Sequence, residues 1–296
     1  MRSPDRVSAA VRRPDGGITS KVWESRAWMR RHPLLSWPVV RGSVSLAEAL
    51  VLGIRTLNWS ADVALEQERK THPQKKRKRD AWSLAGSLLV AILLALALFM
   101  WLPYQLASLL NTDNNQPLFH LVAGSTRIGM FLLYLGLISQ LQDVRRLFQY
   151  HGAEHQSIFS YELGQELSPE NVRQQSRFHP RCGTSFLLIT ALVIMAIFVI
   201  FDWVVVTLWG PYPSALVRLL VHLPFLPLVA GISYEFLRLS DRFSDRRIFQ
   251  LLIAPGLALQ RLTTRVPDDG QREVAVLALR SALAARTNHL AASKAS

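Results

Sequence analysis

The chain has 296 residues, half of them hydrophobic, and carries 34 lysines and arginines against 21 aspartates and glutamates, a net charge of +13. The basic residues cluster at the flanks of long apolar runs, which is the composition of a multi-span membrane protein and argues against a soluble nucleic-acid binder. One cysteine, Cys182, excludes an intramolecular disulfide framework and leaves either an inert reduced thiol or a ligand.

Residues 1–20 are polar with no apolar run, so no cleavable secretory signal is expected. Val7–Val11 and Ile18–Val22 flank Pro14-Asp15-Gly16-Gly17 and predict a small β-hairpin. Residues 34–65 are rich in leucine but broken by Arg41, Glu48 and Arg55. That pattern predicts an amphipathic or interfacial helix, since a charge at the bilayer centre costs roughly 2.5–3.5 kcal/mol. The basic run 69–79 abuts the first long apolar segment. It reads as a topogenic anchor on the cytoplasmic side and not as a nucleic-acid patch.

From Trp82 to Leu102 there is no charge, over the ~20 residues that cross ~30 Å of hydrocarbon. A loop is expected over 103–117, and further spans over about 118–141, 186–209 and 215–237, the last interrupted by Arg218, His222, Pro224 and Pro227. Within the second span, Arg127 is expected to pair with a carboxylate or a carbonyl. Residues 247–262 repeat the interfacial pattern, broken at Pro255-Gly256, and 271–286 predict an amphipathic soluble helix before a disordered tail at 291–296. The expected fold is therefore an all-α polytopic membrane protein with four spans, interfacial helices and an N-terminal hairpin. It divides into an N-terminal region 1–80, a membrane domain 81–240 and a C-terminal helical region 241–296. The distribution of Lys and Arg between loops puts both termini and the 143–183 segment in the cytoplasm.

The 143–183 segment holds the chemistry. His151-Gly152-Ala153-Glu154-His155 reads H-x-x-E-H. On a helix its two imidazoles share a face and supply two metal bonds from one rigid element, while a glutamate in such a motif acts as a base on water. His179-Pro180-Arg181-Cys182 adds an imidazole and a thiol. Ser168-Pro169-Glu170 between the two motifs predicts the start of a short helix, 169–177, that folds the segment back. His151, His155, His179 and Cys182 are the expected ligands of a divalent ion, with zinc best suited to such donors. Glu154 is the expected general base and Arg181 the stabiliser of a developing anion. Glu235 and Glu162 are further candidates, Glu235 as a ligand or as a partner for Arg181. Singly, each of these residues is more often a satisfied side chain at a membrane interface than a ligand; their grouping points to a metal.

The quoted motifs, together with Tyr150, Tyr161-Glu162, Glu170-Asn171-Val172-Arg173 and Thr263-Thr264-Arg265-Val266-Pro267-Asp268-Asp269, resemble the DUF1385 family of bacterial membrane proteins. The similarity runs over nearly the whole chain. It implies a metal-dependent enzyme of the bacterial inner membrane whose substrate is unassigned. Two departures stand out: the family's glycine-rich opening is represented only by what looks like its final Met1-Arg2, and Gln156 stands where a lysine is common. The resulting expectation is a metal-assisted hydrolase with the bilayer and an unidentified substrate as partners. If Cys182 closes the coordination sphere, the chain is instead a non-enzymatic assembly or interaction factor with a structural ion.

Overall fold

The computed structural model describes residues 1–3, 6–24, 28, 32–71, 81–113, 115–180, 182–243 and 246–293, with the side chains of some helical residues outside that description. Arg181 and most of the 69–79 basic run lie outside the described residues.

The expected hairpin is formed by β1 (Arg6–Arg12) and β2 (Ile18–Glu24), antiparallel with Ala9 opposite Lys21. A 3-10 turn at Pro33–Ser36 leads into α1 (Val40–Thr71), one continuous helix. The first apolar segment runs as α2 (Ala81–Leu96), a π-helical turn Ala97–Trp101 and α3 (Leu102–Leu109). The expected loop at 103 is thus corrected: the helix passes through Pro103 and ends at Leu109. The π turn explains this. Proline lacks an N–H and pushes away the carbonyl one turn behind it, and a π turn just ahead of it releases carbonyls from the regular ladder. The carbonyl of Phe99, inside that turn, accepts a 2.6 Å hydrogen bond from Arg127 Nε on the neighbouring helix. The expected carbonyl partner of Arg127 is therefore the one the π turn leaves available.

α4 (Gln116–Ile138) follows, N-capped by Asn115. Then come α5 (Gln142–Glu162), the short α6 (Pro169–Arg173) capped by Ser168, and α7 (Gly183–Trp209). The fourth apolar segment is α8 (Ala215–His222), a 3-10 turn Leu223–Phe225 around Pro224, and α9 (Leu226–Arg242). Four helical segments, 86–109, 116–138, 190–209 and 215–239, are long and apolar enough to cross a bilayer. α10 (Arg247–Thr263) is unbroken, with Pro255 inside it, and α11 (Asp269–Ser293) extends beyond the expected end at 286.

Two packing devices place the site. α1 lies against α9 where Gly42 and Gly231 meet; a Cβ on Gly231 would come within 2.2 Å of the Val39 carbonyl. Beside this crossing Glu235 accepts from Arg41 through two hydrogen bonds and from the Val39 N–H. At the end of the bundle where α4 finishes and α7 begins, α11 packs against α5 and against the hairpin. Ser8 Oγ donates to the Ala278 carbonyl (2.5 Å), and Arg12 bridges Gly270 O and Glu273 (2.8 and 2.7 Å). Leu135 at the end of α4 and Leu259 on α10 form a small buried cluster there.

Candidate metal centre

The H-x-x-E-H motif lies on α5, so its imidazoles do share a helical face; their ring centroids are 4.3 Å apart. Gly152, a poor helix former, is explained by its neighbour: a Cβ there would sit 2.2 Å from the backbone carbonyl oxygen of Arg265. The glycine lets the strand-like segment after α10 lie directly on α5, where Arg265 N–H donates to Phe148 O at 2.9 Å.

That close approach sets the chemistry of both histidines. His151 Nδ1 donates to the Thr263 carbonyl (2.8 Å) and His155 Nδ1 donates to the Arg177 carbonyl (2.6 Å). With Nδ1 protonated and tied to a carbonyl, each ring presents Nε2 as its free lone pair, the arrangement that orients metal-bound histidines. Cys182 Sγ lies 3.3 Å from His151 Nε2. Donor atoms of His151, His155 and Cys182 all fall within 4.8 Å of one another. Ligands at ordinary Zn–S and Zn–N distances in a tetrahedron stand about 3.5 Å apart, so this donor set fits a zinc-sized ion. Burial opposes the charge on His151, but the hydrogen bond and negative charge of Cys182 prevail, helped by the Thr263 carbonyl and Glu154, and hold the imidazole above its ordinary value.

The other expected site residues are placed as follows. His179 stands near the three donors, its ring 5.7 Å from that of His155, and its Nε2 is 3.3 Å from Glu162 Oε2. Its backbone is clamped by the buried Gln260 of α10, which accepts from His179 N–H at 2.8 Å and donates to His179 O at 2.7 Å. Glu154 is half-buried and lines a cleft of about 210 Å³ with Tyr150, Thr56, Val7 and Ala275. It makes no hydrogen bond or ion pair among the described residues. Glu235 is engaged by Arg41, and Arg181 lies outside the described residues. Gln156, at the position where the family resemblance suggests a lysine, donates to Gln175 O and accepts from Arg272, joining α5 to α11.

Sequence reasoning missed the residues that orient the donors. Thr263 and Gln260 lie on α10, far away in the chain; Thr263 stood in a motif of the family resemblance with no role attached, and nothing but its polarity marked Gln260. It also missed a second polar cluster at the far end of the bundle, within the spans. Asp202 of α7, fully buried, accepts from His120 Nε2 (2.8 Å), His222 Nε2 (2.6 Å) and Tyr212 OH (2.8 Å). Arg218 Nε lies 3.3 Å from Asp202 Oδ2, paired by charge though not aligned for a hydrogen bond. Tyr104 OH bonds His222 Nδ1 at 2.7 Å, and Arg218 Nη2 donates to Gln116 at 2.9 Å. A lone aspartate in an apolar span was the available signal.

Fold and site together define a multi-span membrane protein with a His, His, Cys donor cluster at one end of its bundle. The chain belongs to the family described as "Protein of unknown function (DUF1385)", whose profile matches residues 37–285. It is 32% identical over 275 residues to the uncharacterized protein YqhQ of Bacillus subtilis strain 168, covering 90% of this chain and 83% of that protein. No solved structure matches the chain.

Proposed function

We propose that this chain is a metal-dependent enzyme of the bacterial inner membrane, hydrolytic in type and using zinc, with its centre on the cytoplasmic face and both termini on that side. The observation that carries the reading is the pair of carbonyl anchors on His151 and His155: both rings have their Nδ1 committed, His151 Nε2 lies 3.3 Å from Cys182 Sγ, and donor atoms of the three residues fall within 4.8 Å of one another. Purely structural histidines at an interface have no reason to share that arrangement. Three protein donors, His151, His155 and Cys182, match the ligand count of catalytic zinc sites, which keep one position for substrate. A bound zinc would supply Lewis-acid activation of water and of the bond to be broken.

The chain's own residues supply the rest. Cys182 binds as thiolate, with His151 Nε2 3.3 Å from its sulfur. Glu154, which makes no hydrogen bond or ion pair among the described residues and borders a cleft, accepts and returns the proton. Glu162 holds His179 against the donor cluster, and Arg181 follows it in sequence as a cation for a developing anion. Orientation is supported by charge: Arg145 and Arg146 follow α4, Arg242 ends α9, and Arg246 and Arg247 follow it, at the same end of the bundle.

The test is the metal content of purified protein, measured by mass spectrometry, beside His151→Ala, Cys182→Ser and Glu154→Ala. The expected result is one zinc per chain, lost in the first two variants and retained in Glu154→Ala, which loses function in cells. Absence of stoichiometric metal from wild type overturns the reading. The nearness of His179 to His155 favours a second reading, in which His179 becomes a fourth ligand, the site is closed, and the chain is an assembly factor with a structural ion. In that case His179→Ala loses metal and Glu154→Ala keeps full function.

A further inference from the structure

Beside the donor cluster stand two arginines that the sequence motifs left without a role. Arg177, whose carbonyl anchors His155, turns its guanidinium across to the segment after α10, where Nη1 donates to the Thr264 carbonyl at 2.7 Å. The neighbouring carbonyl, Thr263, anchors His151. Arg265 follows immediately, so the Arg177 guanidinium lies at the peptide that joins Thr264 to Arg265. Arg265 Nε is buried with no hydrogen-bond partner. Among the described residues neither guanidinium is in an ion pair with a carboxylate, although both are only half-buried.

Such an arrangement is costly unless something is missing from it. A guanidinium seated beside the backbone of a second arginine adds positive charge to a partly desolvated site, and native proteins ordinarily offset buried cations with carboxylates. Here Asp268 and Asp269 lie three and four residues beyond Arg265, yet Asp268 caps Gln271 and Asp269 pairs with Arg272 and Arg173. The unbalanced charge sits one peptide unit away from the carbonyl that orients a metal ligand.

We propose that Arg177 and Arg265 form an anion subsite of the same centre, one that receives a phosphate group of the substrate. Guanidiniums match phosphate oxygens through paired hydrogen bonds, and a dianion balances two such cations where a single carboxylate would leave one uncompensated. Arg265 Nε supplies a donor already desolvated and lacking an acceptor. The subsite rests on the metal-centre reading for its catalytic meaning, but its binding chemistry stands on the arginines alone.

The experiment uses full-length zinc-loaded protein. Pyrophosphate binding is followed calorimetrically in detergent, and again in lipid discs made of phosphatidylcholine with or without phosphatidic acid. The expected result is saturable binding that Arg265→Gln and Arg177→Gln each weaken about tenfold or more, the scale of one charge-assisted hydrogen bond. Arg265→Lys, which keeps the charge and loses the fork, falls between. Arg265 gives the cleaner variant because its Nε has no partner to lose, and an unchanged melting midpoint verifies its fold. Suppression of pyrophosphate binding by phosphatidic acid, with the same arginine dependence, assigns the phosphate to a lipid headgroup; indifference to the lipid assigns it to a soluble ligand. Wild type that binds neither pyrophosphate nor phosphatidic acid, or binds with affinity indifferent to both glutamine variants, overturns the proposal. Normal zinc content with no anion binding sinks the subsite alone; arginine-dependent binding without zinc sinks the metal reading alone.

Discussion

Replacing Asp202 by alanine tests the far-end cluster, where one carboxylate collects three hydrogen-bond donors and one paired guanidinium inside the bundle. Removing it leaves His120 Nε2, His222 Nε2 and the Tyr212 hydroxyl without their acceptor and strands the Arg218 guanidinium, only 3% exposed, 3.3 Å from where its counter-charge stood. Asp202 lies seven residues before the end of α7 at Trp209, about 10 Å along the helix, so water cannot simply take the place of the lost oxygens. Breaking a buried charge pair from one side costs about 3–5 kcal/mol, which corresponds to a fall in melting midpoint on the order of 10 °C for a chain of this size. Arg218 retains Gln116 as an acceptor at 2.9 Å and stacks 3.6 Å above the ring of Phe119, so the lower part of that range is expected. The assay is thermal unfolding in detergent of wild type, Asp202→Ala, Arg218→Leu and the double variant. Because the two residues share one network, the double variant should be more stable than the sum of the single losses predicts, by about 1 kcal/mol or more. A midpoint for Asp202→Ala within about 2 °C of wild type, or strict additivity in the cycle, would refute the claim that the carboxylate holds this end together.

Gly152→Ala should destabilise by about 1–3 kcal/mol although helix propensity alone would make it favourable by about 1 kcal/mol, because its Cβ would meet Arg265 O; zinc content should fall with it, as the Thr263 anchor of His151 moves. Gly231→Ala should push α1 off α9, cost a similar amount and expose α1 to protease, while leaving zinc content intact. The response to pH has two opposed parts. Burial lowers the His151 pKa but Cys182 outweighs it and the net shift is upward, so the contact stabilises the metal-free fold fully at pH below 6.5 and that contribution is lost as pH rises through the raised value. Zinc needs the neutral ring and the thiolate, so the gain in melting midpoint on adding zinc should be larger at about pH 8 than at about pH 6; an equal gain at both would remove His151 from the ligand set.

The spans were legible because hydrocarbon thickness imposes a length and the flanking arginines impose an order, and both are written in composition. The hairpin was legible from Gly16, whose φ of +85° the turn requires. What failed was local and then compensated at a distance. Pro103 signals a helix end, but the π turn before it and Arg127 on another helix let α2 run on into α3. Pro255 and Gly256 signal a break that α10 does not make. At the candidate centre the spacing pointed to His151, His155, His179 and Cys182, and the structure brings donor atoms of His151, His155 and Cys182 within 4.8 Å of one another. The groups that aim them could not be read from spacing, because Thr263 O and Arg177 O are backbone atoms, and a sequence carries no mark of which carbonyl an imidazole will meet. The far cluster was half visible: Arg218 and His222 were noted as interruptions of a span, while Asp202 and His120, their partners, went unremarked in their own apolar surroundings.

The two polar centres at the ends of the bundle differ in a way that bears on function. At the far end the guanidinium of Arg218 faces Asp202 and Gln116, with Asp113 3.9 Å away, and the carboxylate of Asp202 has a donor on each oxygen. Charges balance there, and the network's effect is to tie α3, α4, α7 and α8 to one another. At the near end the balance is missing among the described residues. Glu154 borders a cleft and makes no hydrogen bond or ion pair, Arg265 Nε is buried with no acceptor, and three metal-type donors converge, the two imidazoles among them with Nδ1 already committed. Satisfied polar groups stabilise a fold; unsatisfied ones reduce stability and are retained where something else binds them. The same chain satisfies its buried groups at one end and leaves them open at the other, which is the ground for setting the proposed site at α5 and the segments around Cys182 and Thr263.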